Sequence, residues 1–212
     1  MALSRFRPAG SREDFDVEYG PRIPQIDFWE YNGEGSADDS QTRIESEDDH
    51  MAKATFGAGC FWGVEAEFRR TKGVIATAVG YAGGTTAQPT YKDVCNGDTD
   101  HAEVVEVEYD PTQVTFEELL DVFWKNHNPT TRNRQGPDYG TQYRSVVFYH
   151  SPEQEAAARV SMAKAQANWK APIVTEIAPA PTFWKAEDYH QQYLAKEPLG
   201  YCGLGGLGVA FD

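Results

Sequence analysis

From Met51 onward the chain alternates between short apolar runs of strand length and runs with helical spacing, yet it never settles into a strict βαβ repeat. That irregular interleaving narrows the fold to an α+β domain, a mixed sheet with helices packed on it. The clearest strand is Ala-Glu-Val-Val-Glu-Val-Glu-Tyr at residues 102–109, where apolar side chains alternate with carboxylates. Further strands are expected at 53–56, 73–81, 145–149 and, last, 173–177. A capping-box pair, Thr115 and Glu118, precedes Phe116, Leu119, Leu120 and Phe123, which fall at helical spacing. Ser151 with Gln154 opens an Ala-rich helix to about residue 169, and a short helix is expected near 187–194. Gly57-Ala58-Gly59 reads as a turn, the residues around Tyr91 and Cys95 as a loop, and 127–142 as a polar loop too long to be a mere connection.

Residues 1–50 do not share this pattern. They hold 13 acidic and 5 basic residues, a net of −8 out of −14 for the whole chain, so the remaining 162 residues carry only −6. With so little apolar content, the segment is expected to be a largely disordered acidic extension, although the aromatic run around Phe28 and Trp29 has enough surface to dock. Residues 51–212 are then expected to form a single folded domain. The acidic balance argues against nucleic acid and anionic membranes as partners, since phosphate binding needs clustered Lys and Arg. No run approaches the roughly 18 apolar residues of a membrane span, and no signal-peptide core is present, so a cytoplasmic location is expected. Three cysteines, Cys60, Cys95 and Cys202, are too few and too scattered for a disulfide scaffold or a zinc knuckle.

Cys60 lies in Gly59-Cys60-Phe61-Trp62-Gly63, between a strand-like run and a helix expected over 64–70. Backbone N–H groups and the helix dipole favour an anion at a helix start, which would lower the thiol pKa and make Cys60 a nucleophile. A small buried hydrophobe is the other reading, and the pentapeptide alone does not choose. Glu103 adds weight to the first. It shares a strand face with Val105, Val107 and Tyr109, and burial there would keep its carboxyl protonated, the state a general acid needs. Fraying at the strand start would instead leave it exposed.

Phe61 and Trp62 can wall a small apolar pocket, to which the loops add Tyr91, Asp138 and Tyr143. Such a cage suits a substrate with a small apolar end and a strongly polar oxygen. His101 and His190 are candidate bases for a Cys–His acyl-transfer hydrolase, with His190 more easily read as a hydrogen-bonded structural residue. A non-catalytic binding module that uses the aromatic cage is another class. Cys202 is flanked by glycines, which give the freedom a resolving thiol needs, although an incidental cysteine in a mobile tail from Gly200 fits too. Cys95 reads as structural.

These blocks, in order, resemble the A-type peptide methionine sulfoxide reductase family: the Cys60 pentapeptide, Tyr91 with Val94-Cys95, His101-Ala102-Glu103-Val104-Val105, the stretch from Asn133 through Asp138 to Ser145, and Gly200-Tyr201-Cys202-Gly203. The match covers roughly 55–209. The resemblance implies a ferredoxin-like core wrapped by a C-terminal coil. It implies that Cys60 attacks the sulfoxide sulfur, Glu103 protonates its oxygen, Tyr91 and Tyr143 hydrogen-bond that oxygen, Phe61 and Trp62 hold the methyl group, and Asp138 binds the substrate backbone. It further implies S-epimer specificity and a Cys60–Cys202 disulfide reduced by thioredoxin, or by dithiothreitol in vitro, with no bound cofactor and a monomer sufficing. Two departures stand out. Asp100 occupies a position where the family usually has glycine, and Ala210 replaces a further cysteine common in the family, which points to a single resolving step.

Overall fold

The computed structural model describes residues 51–197 and residue 200, so the expectations for the acidic extension, the glycine-rich tail and Cys202 lie outside the described residues. The elements run in the order β1 (Ala52–Ala58), α1 (Phe61–Arg70), β2 (Val74–Ala82), α2 (Tyr91–Asn96), β3 (Ala102–Tyr109), α3 (Phe116–Lys125), the two-residue strands β4 (Arg134–Gln135) and β5 (Asp138–Tyr139), β6 (Ser145–Tyr149), α4 (Pro152–Ala165), β7 (Glu176–Pro179), β8 (Trp184–Lys185) and α5 (Tyr193–Lys196). Among the described residues the main sheet has the order β7-β6-β1-β3-β2-β8. β6 and β7 pair in parallel and the other neighbours are antiparallel, so the sheet is mixed. Its inner four strands, β6-β1-β3-β2, with α1 and α3 as crossovers, make the ferredoxin-like arrangement.

The helices start where side chains can satisfy their orphan N–H groups. Thr115 accepts from the Glu118 amide while Glu118 accepts in return, closing the expected capping box of α3. Ser151 caps α4 with Pro152 in the first turn. The segment with Tyr91 and Cys95 is not a loop: Thr90 and Asp93 form a second capping box, and Gly97, at φ +85°, ends the short helix α2. On the sheet, Phe56 stacks on Phe68 of α1 with ring centroids 4.8 Å apart and lies 5.5 Å from Phe123 of α3. Each such buried ring contributes about 2–3 kcal/mol by removal from water.

Other boundaries depart from expectation for local reasons. Gly57 and Ala58 belong to β1 rather than to a turn, pairing with Val146 and Ser145 of β6; glycine is needed at 57 because a side chain there would come within 3.0 Å of the Glu103 carbonyl and 2.7 Å of Val146. The helix after Cys60 begins at Phe61, not Val64. Residues 127–142 contain the small β4–β5 hairpin. The strand expected at 173–177 is β7, Glu176–Pro179, and it is not the last, because Trp184 pairs with Tyr81 to add β8 at the other edge.

Candidate active site

Strand register brings four chain segments to one end of the sheet. Ala58 pairs with Ser145 and Tyr81 with Glu103, so the end of β1, the end of β2, the start of β3 and the turn before β6 all meet there. Beyond Ala58, Gly59 takes a left-handed φ of +93°, which turns the chain so that Cys60 becomes the N-cap of α1. Tyr143 arrives from the 3-10 turn Thr141–Tyr143, Asp138 from the hairpin, and Tyr91 from α2.

Cys60, Phe61, Trp62, Tyr91, Glu103, Asp138 and Tyr143 line one cavity of about 150 Å³. Every pocket residue expected from the sequence is therefore brought together, apart from Cys202, which lies outside the described residues. Larger clefts over the α3–α4 face are lined without a thiol. Glu103 is buried, 2% exposed, and its Oε2 accepts the Phe61 amide at 3.1 Å, so the carboxyl sits at the same helix start as the thiol. It is not frayed. Phe61 is buried and Trp62 half-buried, forming an aromatic wall with Tyr81 5.9 Å from the Phe61 ring.

Burial, above all, pushes the Tyr143 pKa up. Burial again leads for Tyr91. Both phenols thus remain O–H donors at physiological pH. Asp138 is pushed up by burial alone. Cys95, suggested to be structural, is exposed on α2, one turn beyond Tyr91.

The two histidines are committed elsewhere. His101 Nδ1 accepts the Gly84 amide at 3.1 Å and its Nε2 lies 2.7 Å from the Thr86 carbonyl, so both ring nitrogens are used. His190 Nδ1 accepts the Trp62 indole N–H at 3.0 Å. With neither ring available as a base, the acyl-transfer alternative has no support in the geometry. Among the described residues, no group of three or more His, Cys, Asp or Glu side chains could hold a metal ion, and no helix is long and apolar enough to cross a membrane.

Three supports of the pocket carried no usable sequence signal. Arg144, nearly buried, donates to the carbonyls of Asp100 and Thr141 at 3.0 Å each, tying the approach to Glu103 to the turn that carries Tyr143. Glu187 accepts the Tyr81 hydroxyl and the Tyr91 amide. Glu65, buried in α1, accepts Thr77 and the Gln192 amide. Each partner lies far along the chain, or on another element, and no local pattern marks the pair.

Residues 52–206 match the family described as peptide methionine sulfoxide reductase. The chain belongs to the peptide methionine sulfoxide reductase family. It is 62% identical over 154 residues to the peptide methionine sulfoxide reductase MsrA of Geobacter metallireducens, covering 72% of this chain and 95% of the relative. Among solved structures, reduced Mxr1 from Saccharomyces cerevisiae aligns with a TM-score of 0.71 at 41% identity, over 76% of this chain and 93% of that one. Mxr1 in complex with Trx2 aligns with a TM-score of 0.51 at 28% identity, over 72% and 91%. A reductase of this family is an oxidoreductase acting on methionine sulfoxide, which accords with a cavity of this size that joins an apolar wall to oxygen-directed donors.

Proposed function

We propose that this pocket reduces the S epimer of methionine sulfoxide, free or within peptides and proteins, and that residues 51–212 act as one catalytic domain behind an acidic extension at 1–50. Cys60 is the nucleophile and attacks the sulfoxide sulfur. Glu103 gives a proton to the sulfoxide oxygen, while the Tyr91 and Tyr143 hydroxyls donate to the same oxygen as negative charge grows on it. Phe61 and Trp62 receive the methyl group, and Asp138 takes the backbone N–H side of the substrate. What carries the reading is the convergence of a thiol at a helix start, a buried carboxyl and two protonated phenols in one small cavity. Wall, oxygen donors and Asp138 address three different substituents of the sulfur, which is the minimum for distinguishing its two configurations.

The electrons balance through thiols. Attack transfers the oxygen to Cys60, releasing methionine and leaving a sulfenic acid, so the substrate gains two electrons and Cys60 loses two. The Cys202 thiol then displaces water to form the Cys60–Cys202 disulfide, and a dithiol restores both thiols. Thioredoxin is the proposed reductant, supported by the likeness to yeast Mxr1 in its complex with Trx2; dithiothreitol would substitute in vitro. No bound cofactor is needed for these steps, a thioredoxin-supplied cytoplasm suits them, and a monomer suffices because one chain supplies the whole pocket.

The reading is tested with Cys202→Ser. Rapid quench should detect one equivalent of methionine per enzyme, followed by a stall with thioredoxin as the reductant. Sustained thioredoxin-driven turnover by this variant would remove Cys202 from its resolving role, and no burst would remove Cys60 from the attack.

A further inference from the structure

The segment Glu187–Gln192 contributes no lining residue to the pocket, yet it is hydrogen-bonded to two residues that do line it, Trp62 and Tyr91, and to the strand and helix behind them. Glu187 holds Tyr81 and the Tyr91 amide, at 3.0 and 2.8 Å. Gln191 bonds both the N–H and the carbonyl of Val79, and the Gln192 amide donates to Glu65 of α1. At its centre His190 is 1% exposed, with its ring 5.2 Å from Phe61, 4.5 Å from Tyr91 and 4.1 Å from Tyr189.

Two contacts define where the Trp62 indole lies. It stacks on Tyr193 with centroids 4.0 Å apart and planes 22° apart, and its N–H donates to His190 Nδ1 at 3.0 Å. Stacking tolerates sliding and in-plane rotation, because a ring face has no directional partner. The hydrogen bond does not, since it is lost when the N–H turns away. It also requires a neutral ring with its proton on Nε2. Burial favours that state against the opposing pull of the Glu187 carboxylate, whose Oε2 lies 3.9 Å from Nε2. Among the described residues Nε2 itself is buried without a hydrogen-bond partner, so the nitrogen satisfied there is the one committed to Trp62.

We propose that His190 is a positioning residue for the sulfoxide methyl group, fixing the Trp62 indole against one side of the cavity through its Nδ1. The inference rests on the assignment of Trp62 to the methyl wall. Its expected signature is a rise in KM without a matching fall in kcat, because a loose wall weakens binding of substrate and transition state alike.

The test compares wild type, His190→Phe and His190→Asn on N-acetyl-methionine sulfoxide with dithiothreitol, alongside the Trp62 indole N–H resonance in 15N-labelled protein. Phe keeps an aromatic ring but removes the acceptor; Asn places an oxygen near the position of Nδ1. His190→Phe should raise KM about five- to tenfold, the loss expected for one hydrogen bond, and shift the indole resonance. His190→Asn should recover most of both. Replacing Trp62 with 3-benzothienylalanine, which keeps the ring shape but lacks the N–H, should reproduce the KM rise even where His190→Phe does not fold. Wild-type KM in the benzothienyl protein, or equal effects of Phe and Asn, would overturn the proposal. No reduction by wild type would overturn the underlying assignment of the pocket instead.

Discussion

Two buried histidines near opposite edges of the inner four strands, one by β6 and one by β2, do different things with the same ring. His127 is fully buried beside Phe123 and Trp124, and both of its nitrogens are bonded: Nδ1 to the Phe123 carbonyl at 2.8 Å and Nε2 to Ser145 Oγ at 2.6 Å, which continues to Thr175 at 2.7 Å. His190 has one hydrogen-bonded nitrogen, spent on a pocket wall, and one with no hydrogen-bond partner among the described residues. The His127 cluster is a closed knot whose members satisfy one another. Around Cys60, by contrast, carboxyl and phenols converge on a cavity, held by residues behind them. The knot's groups are bonded to one another in the interior, whereas the pocket's groups line a space that a substrate can enter. Substitutions in the pocket should therefore change rate with little change in stability, and substitutions in the knot should do the reverse.

The largest contrast is expected at Glu103. Glu103→Gln keeps an oxygen to accept the Phe61 amide, so the melting temperature should hold, while loss of the acid proton should lower kcat/KM about a thousandfold. A rate within threefold of wild type would remove the acid role and blur the contrast.

Next comes pH. Burial holds the His127 pKa down to about 4, against an ordinary 6.5. Between those values the unfolded chain binds a proton that the folded protein refuses, so this contribution to stability is complete above about 6.5 and is lost as pH falls toward 4. The gap corresponds to about 3 kcal/mol. Urea unfolding of wild type and His127→Leu from pH 7.5 to 4 should show a smaller acid loss in the variant; parallel curves would mean that the knot does not exclude the proton. At pH 7.5 the same substitution should cost about 2 kcal/mol through the opened knot, with kcat/KM unchanged. A matching loss of activity in the folded variant would show that knot and pocket are coupled.

The smallest effect concerns Asp100. Its φ of +58° is a conformation that glycine adopts without strain, which gives a physical reason for glycine at this position in the family. Asp100→Gly should stabilise the protein by about 0.5 kcal/mol, readable as a rise of about 1–2 °C in melting temperature at unchanged kcat. A destabilised variant would mean that the aspartate side chain supports the loop.

Much of this was open to inspection in the sequence. The alternation of Ala102–Tyr109 placed Glu103 on the buried face, and the Thr115–Glu118 pair marked the start of α3. The same reasoning applied to Thr90 and Asp93 would have found α2, a signal present but overlooked. The two-residue strands are another matter. β4, β5 and β8 are two residues each, a single strand period, so neither alternation nor propensity identifies them, whereas β7 is legible as a strand but lies a few residues later than expected, ending at Pro179 on a sheet edge. The pocket residues were named by their motifs, but their supports, Arg144, Glu187 and the Trp62–His190 pair, act over separations that local patterns do not reach.

The central claim is that Cys60 reduces one configuration at sulfur. It is tested most directly by incubating racemic N-acetyl-methionine sulfoxide with dithiothreitol and the wild-type or Cys60→Ser protein, and following each epimer by chiral chromatography. The account predicts that wild type consumes the S epimer alone and that Cys60→Ser consumes neither. Equal loss of both epimers, or S-epimer loss that survives without the Cys60 thiol, would contradict it.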